Sequence, residues 1–105
     1  MVPMEEIRKL GERIGRAFMP EKVILFGSYA DGTATEDSDV DILVILPFIG
    51  KNLDKSVEIL TRIDPQFPAD LLARRPEDAK RRYKMGDPLI REALDRGVML
   101  YERNS

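Results

Sequence analysis

Apolar residues recur at two periods along the chain, and the switches between them mark out the elements. Met4, Ile7, Leu10, Ile14 and Phe18 fall three and four apart, one stripe of an amphipathic helix over residues 4–18 that Pro20 ends. Residues 22–26 (KVILF) are a short β-prone run closed by Gly27, as a buried strand would be. Residues 39–46 (DVDILVIL) predict a second strand, apolar on both faces beyond Asp41 and therefore central, with Pro47 and Gly50 terminating it. Leu53, Val57, Leu60 and Ile63 return to helical spacing and predict an apolar helix face over 52–63, stopped by Asp64-Pro65. Residues 67–73 are a third strand candidate with Asp70 inside it. Pro76-Glu77-Asp78 opens a helix with proline first and acids in the first turn. Asp87-Pro88 restarts it with Asp87 as N-cap, and Leu89, Ile90, Ala93 and Leu94 give an apolar face up to Gly97, which suits a C′ position. Residues 98–101 predict a last short strand. Helices and strands alternate, so the class is α/β, a small mixed sheet packed with helices.

Composition narrows the chemistry. At 105 residues, 43% hydrophobic and 34% charged, the sequence predicts one folded domain over residues 1–105. There is no cysteine, which excludes disulfides, thiolate zinc sites and Cys nucleophiles, and no histidine, which excludes imidazole acid–base chemistry and imidazole ligands. The uncharged run from Ile42 to Gly50 is too short for a membrane span, which needs about 20 apolar residues. The acidic start, Met-Val-Pro-Met-Glu-Glu, is unlike a signal peptide, so a cytoplasmic protein without a membrane partner is expected. Any enzyme built from this chain works with carboxylates, hydroxyls, backbone amides and a hard metal.

The net charge of −2 conceals an asymmetry. Asp31, Glu36, Asp37, Asp39 and Asp41 lie between residues 31 and 41 with no base among them. Arg74, Arg75, Lys80, Arg81, Arg82 and Lys84 face only Glu77 and Asp78 between residues 74 and 84. Such blocks are ordinarily solvated surface, yet an acidic knot also suits a metal and a basic one a phosphate.

Asp39 and Asp41 sit at the start of the central strand, where period two sends both side chains from one face, Cα atoms roughly 7 Å apart. Two carboxylates beside an apolar run repel each other and lose solvation. A divalent cation removes that cost, and Mg²⁺ favours one or two carboxylates plus substrate phosphates. Turn chemistry accounts for Asp37 and Asp39 but poorly for Asp41. An EF-hand loop fails, because Ile42 stands where glycine is required and Phe48 where glutamate is. Gly27-Ser28-Tyr29-Ala30-Asp31-Gly32 follows the first strand directly. Gly27 permits close backbone approach, and Ser28 is placed to cap a short helix whose amides and hydroxyl could hold phosphate. It is neither a P-loop nor a Rossmann fingerprint.

Taken together, Gly27-Ser28, a ten-residue spacer and Asp39-Val40-Asp41 resemble the signature of the DNA polymerase β-like nucleotidyltransferases. The pattern is most similar to the minimal nucleotidyltransferases, written G-S-x-A-R-G followed by S-D-x-D-L-x-V. Here it reads Gly27-Ser28-Tyr29-Ala30-Asp31-Gly32 and Ser38-Asp39-Val40-Asp41-Ile42-Leu43-Val44, and the ending through Gly97 to Tyr101 is also similar. The departure is Asp31, where the family usually has a base; an acid there should weaken binding of a tetra-anion.

The resemblance implies a polymerase β-like fold in which Gly27 and Ser28 hold a nucleoside triphosphate, expected to be ATP. It implies that Asp39 and Asp41 ligate two Mg²⁺ ions, about 3.5–4 Å apart in such sites. Asp70 is placed as the third carboxylate, completing the metal site and accepting the acceptor's proton, with Asp64 as the alternative. It further implies AMP transfer to a hydroxyl on a protein partner, a HEPN-domain toxin that this chain would neutralise as antitoxin. The competing reading is a binding module that neutralises the same partner by contact alone. Direct nucleic-acid binding through Arg74–Lys84 is not expected, since aromatics are few and the net charge is negative.

Overall fold

The computed structural model describes residues 1–104. Its elements follow the two periodicities closely. Helix α1 spans Met4–Phe18; Met19 then turns left-handed (φ 48°), its N–H donating to the Gly15 carbonyl, and Pro20 leaves the helical path. Strand β1 is Lys22–Phe26, and the one-turn helix α2 is Ser28–Asp31. Strand β2 is Val40–Ile45, helix α3 Asn52–Ile63 and strand β3 Ala69–Arg74. Helices α4 (Pro76–Met85) and α5 (Pro88–Arg96) lead into strand β4 (Val98–Glu102). The sheet order is β3-β2-β1-β4, with β1 antiparallel to both β2 and β4 and with β2 parallel to β3. The expected α/β class and mixed sheet are thus present, and β2 lies inside the sheet.

Strands β1 and β2 are apolar on both sides because helices cover both sides. Val23, Leu25, Val40, Ile42 and Val44 pack with Ile7, Leu10 and Ile14 of α1 and with Ile59 and Ile63 of α3. Ile24, Phe26, Leu43 and Ile45 pack with Ala79 of α4 and with Ile90 and Ala93 of α5. Each fully buried aliphatic side chain contributes on the order of 1.5–3 kcal/mol, so this double burial is the main adhesive of the three layers. Strand alternation has a functional consequence: Asp41 shares its parity with Leu43 and Ile45, which places it on the α4–α5 side.

Three local expectations are corrected. The face of α3 is not the Leu53–Val57 stripe, for Leu53 is 72% and Val57 53% exposed. Ser56, Ile59 and Ile63 turn inward instead. The Ser56 hydroxyl donates to the Asn52 carbonyl (2.9 Å) and accepts from the Ala73 N–H (2.9 Å) on edge strand β3. A buried amide left unpaired costs roughly 1–3 kcal/mol, enough to set the rotation of the helix. Arg75 holds the preceding loop, donating to the Phe48 carbonyl (2.9 Å) and stacking on the Phe48 ring at 4.2 Å.

The second correction is Gly97, which is extended (φ −72°, ψ 167°) rather than a left-handed C′ residue. Its missing side chain serves packing: a Cβ there would lie 2.3 Å from the Ala93 carbonyl oxygen and 2.4 Å from Ile24 Cγ2. The third is Ser28, which is the first residue of α2 and not its cap; Gly27 holds the N-cap position. The chain turns at Gly27, so Ser28 already has helical backbone.

Candidate active site

Sheet register sets Phe26, Asp41 and Asp70 in one row across β1, β2 and β3. Asp39 lies just ahead of β2, two residues from Asp41. Asp41 is half-buried, whereas Asp39 and Asp70 are exposed. Burial pushes the Asp41 carboxyl above its ordinary range, and the negative charges of Asp70, Asp39 and Glu92 push it further. The three acids expected from the sequence therefore share one electrostatic cluster. The alternative third acid, Asp64, does not join this row; it ends α3 in a left-handed turn (φ 50°), its N–H donating to the Leu60 carbonyl.

The Gly-Ser turn meets this row directly. Gly27 adopts φ 74° and ψ −153°, a conformation essentially confined to glycine. A Cβ there would stand 2.3 Å from Asp41 Oδ2. The acid on β2 and the turn after β1 are thus in contact. The Gly27 N–H is not open to solvent alone: it donates to Glu92 Oε2 at 3.1 Å, across 65 residues of sequence.

Asp31 is folded back into its own turn. Its carboxylate accepts from the Thr33 hydroxyl (2.5 Å) and the Thr33 N–H (3.0 Å). Those two bonds, with a smaller contribution from Arg96, hold its carboxyl below the ordinary range. A cavity of about 50 Å³ lies between α2 and α5, lined by Phe26, Gly27, Ala30, Asp31, Glu92 and Arg96. It has room for a water or two, far short of a nucleotide.

Glu92 and Arg96 went unmarked in the sequence, because an acid and a base four apart on a helix read as an ordinary solvated pair. The basic run contributes little to this turn. Arg74 donates to the Ala73 carbonyl, Arg81 pairs with Asp78 and Arg82 with Asp87. Lys80 and Lys84 line a groove with Lys22, at the opposite end of β1 from Gly27.

Among the described residues, no three acidic side chains are already gathered as a metal cage. In kind, however, the donors fit a hard divalent cation: they are carboxylate oxygens, and burial with neighbouring negative charge disfavours the ionised form of Asp41, a cost that a cation would relieve. Asp39, Asp41 and Asp70 are the carboxylates of this cluster that the sequence singles out.

Acids on central strand β2 and edge strand β3, with a Gly-Ser turn pressed against Asp41, sit within a mixed sheet of nucleotidyltransferase fold. The comparison with known families agrees: residues 7–100 match the nucleotidyltransferase domain, and the chain belongs to that family as a minimal nucleotidyltransferase. A candidate protein adenylyltransferase of Methanocaldococcus jannaschii is 31% identical over 81 residues, covering 77% of this chain and 78% of that protein. A second candidate protein adenylyltransferase of the same organism is 49% identical over 51 residues, 49% of this chain and 31% of that protein. Among solved structures, a nucleotidyltransferase candidate from Sulfolobus solfataricus superposes with a TM-score of 0.65 at 20% identity, over 95% of this chain and 80% of its own. A toxin–antitoxin structure with AMP-PNP gives 0.60 at 20% identity, over 92% and 74%. These two structural likenesses show the fold. No helix among the described residues is long and apolar enough to cross a membrane.

Proposed function

We propose that this nucleotidyltransferase moves AMP from ATP to a hydroxyl group on a protein partner, and that the partner is the toxin of a toxin–antitoxin pair, a HEPN-domain protein. The observation that carries the reading is the contact of Asp41 with Gly27, which brings an acid row and a backbone amide to one place at the end of β1. The named relatives and the toxin–antitoxin structure with AMP-PNP support the choice of a protein acceptor.

In this reading the Gly27 N–H and the Ser28 hydroxyl hold the triphosphate. Asp39, Asp41 and Asp70 would hold Mg²⁺, which when bound supplies Lewis-acid neutralisation of phosphate charge. Asp70, exposed at the sheet edge, accepts the proton of the acceptor hydroxyl. The hydroxyl oxygen forms a bond to the α-phosphorus as the bond to the β-phosphate oxygen breaks, and pyrophosphate leaves. The site acts with carboxylates throughout, in keeping with a chain that has no histidine and no cysteine.

One observation favours the second reading, neutralisation by contact alone: the amide expected to meet phosphate is already held by Glu92. Labelled ATP and Mg²⁺ supplied with the co-purified partner separates the two. Label passes to the partner with the native chain and falls by about 10²–10³-fold in the Asp39→Asn/Asp41→Asn double variant, the usual scale for losing charge stabilisation. Absence of transfer by the native chain would sink the enzymatic reading. Full neutralisation of the toxin by the double variant would establish contact alone.

A further inference from the structure

Glu92 projects from α5 into the turn between β1 and α2, and its carboxylate takes the hydrogen bond of the Gly27 amide at 3.1 Å. Asp41 stands against the same glycine from β2, where a Cβ would otherwise project, so Gly27 lies between two carboxylates. A triphosphate brought to that amide adds several more negative charges to the same few ångströms. It cannot share the donor with Glu92: an N–H directs one strong bond, and like charges at that range repel. Arg96 lies one helical turn beyond Glu92 and lines the same small cavity, where its charge also reaches Asp31. Residues four apart on a helix face each other, so the displaced carboxylate has a cation within reach.

We propose that Glu92 is a specificity-determining latch on the nucleotide site: it stands in for a phosphate oxygen on the Gly27 amide, sets nucleotide affinity by competing with the triphosphate, and swings to Arg96 when displaced. The inference rests on the reading of Gly27-Ser28 as the phosphate turn. A latch of this kind favours ligands with enough phosphate charge and cation to evict a carboxylate, so triphosphates with Mg²⁺ bind and monophosphates do not. It also means that the resting turn keeps its shape without nucleotide, because the acceptor it needs is built in.

The test uses the full chain, AMP-PNP with Mg²⁺ as probe, calorimetry for affinity and the Gly27 amide resonance as the local readout. Glu92→Gln keeps a neutral acceptor for the amide and so preserves the turn; Glu92→Ala removes it. Both are expected to bind AMP-PNP about tenfold tighter than the native chain, the value of one charge-assisted hydrogen bond. Arg96→Ala is expected to weaken binding several-fold in the native background and to have no effect in the Glu92→Ala background, a coupling that a merely structural residue does not produce. The Gly27 resonance should shift with nucleotide in every variant that binds. If it shifts while the Glu92 variants bind no tighter than the native chain, the latch is overturned and the phosphate turn stands. If no variant binds and the resonance stays still, the phosphate-turn reading fails and takes the latch with it.

Discussion

Helices α5 and α2 begin in opposite ways. Asp87 closes the start of α5 with its own carboxylate, accepting from the N–H groups of Leu89 (3.0 Å) and Ile90 (3.3 Å). Gly27 brings no side chain to the start of α2, and its amide depends on Glu92 from a distant helix. The first arrangement is local and self-sufficient, as stability requires. The second ties a backbone donor to a side chain 65 residues away, the exchangeable partner that the proposed phosphate turn calls for. Three experiments sharpen or break this contrast, and a fourth tests the facing of α3.

The largest effect belongs to Gly27→Ala. Backbone strain alone costs about 1–3 kcal/mol at such a φ,ψ, and the new methyl meets Asp41 Oδ2, so both thermal stability and AMP-PNP binding should fall. Adding Asp41→Ala should return part of the lost stability, since it removes the contact and leaves the strain. A Gly27→Ala variant as stable as the native chain would mean that the start of α2 is no more constrained than that of α5.

Asp87→Ala should act on stability and leave nucleotide affinity unchanged. The Ile90 and Leu89 amides, with Arg82, hold the Asp87 carboxyl below its ordinary range. Its stabilisation is therefore present above the ordinary carboxylate range and lost as pH falls through the lowered value. The variant's Tm should lie below that of the native chain at neutral pH, with the gap closing below about pH 3.9. A gap independent of pH would show that the charge of Asp87 is irrelevant to the cap.

Asp31→Arg should tighten AMP-PNP binding by about two- to fivefold, the scale of an exposed charge reversal. An unchanged affinity in calorimetry would remove Asp31 from the electrostatics of the turn. Smallest of all is Leu53→Lys, expected to shift unfolding free energy by less than about 0.5 kcal/mol because Leu53 faces solvent. A loss of several kcal/mol in a denaturant titration would restore Leu53 to the core.

The parts of the molecule legible in sequence are those whose signals lie close together along the chain. Residues 22–26 and 39–46 announced their strands, and Asp41 stood out because an acid is out of place in a buried run. The Asp87-Pro88 restart was legible for the same reason, since cap and helix are neighbours. The facing of α3 was not, because it depends on a hydroxyl at Ser56 meeting an amide on β3 that no periodicity reveals. Gly97 carried the right residue for a different cause, a crowded crossing under β1 in place of a left-handed turn. Glu92 was the least visible: its importance arises only when α5 folds over the sheet and meets a turn 65 residues earlier.

The overlap of Gly27 with Asp41 also has a consequence for descent. A side chain at 27 has to displace the acid, while loss of the acid still leaves a backbone that only glycine follows comfortably. Mutations at the two positions are therefore accepted in a fixed order, the acid before the glycine. A lineage sliding from chemistry toward simple contact would carry that history in its sequences: descendants lacking Asp41 that retain Gly27, and none of the reverse kind.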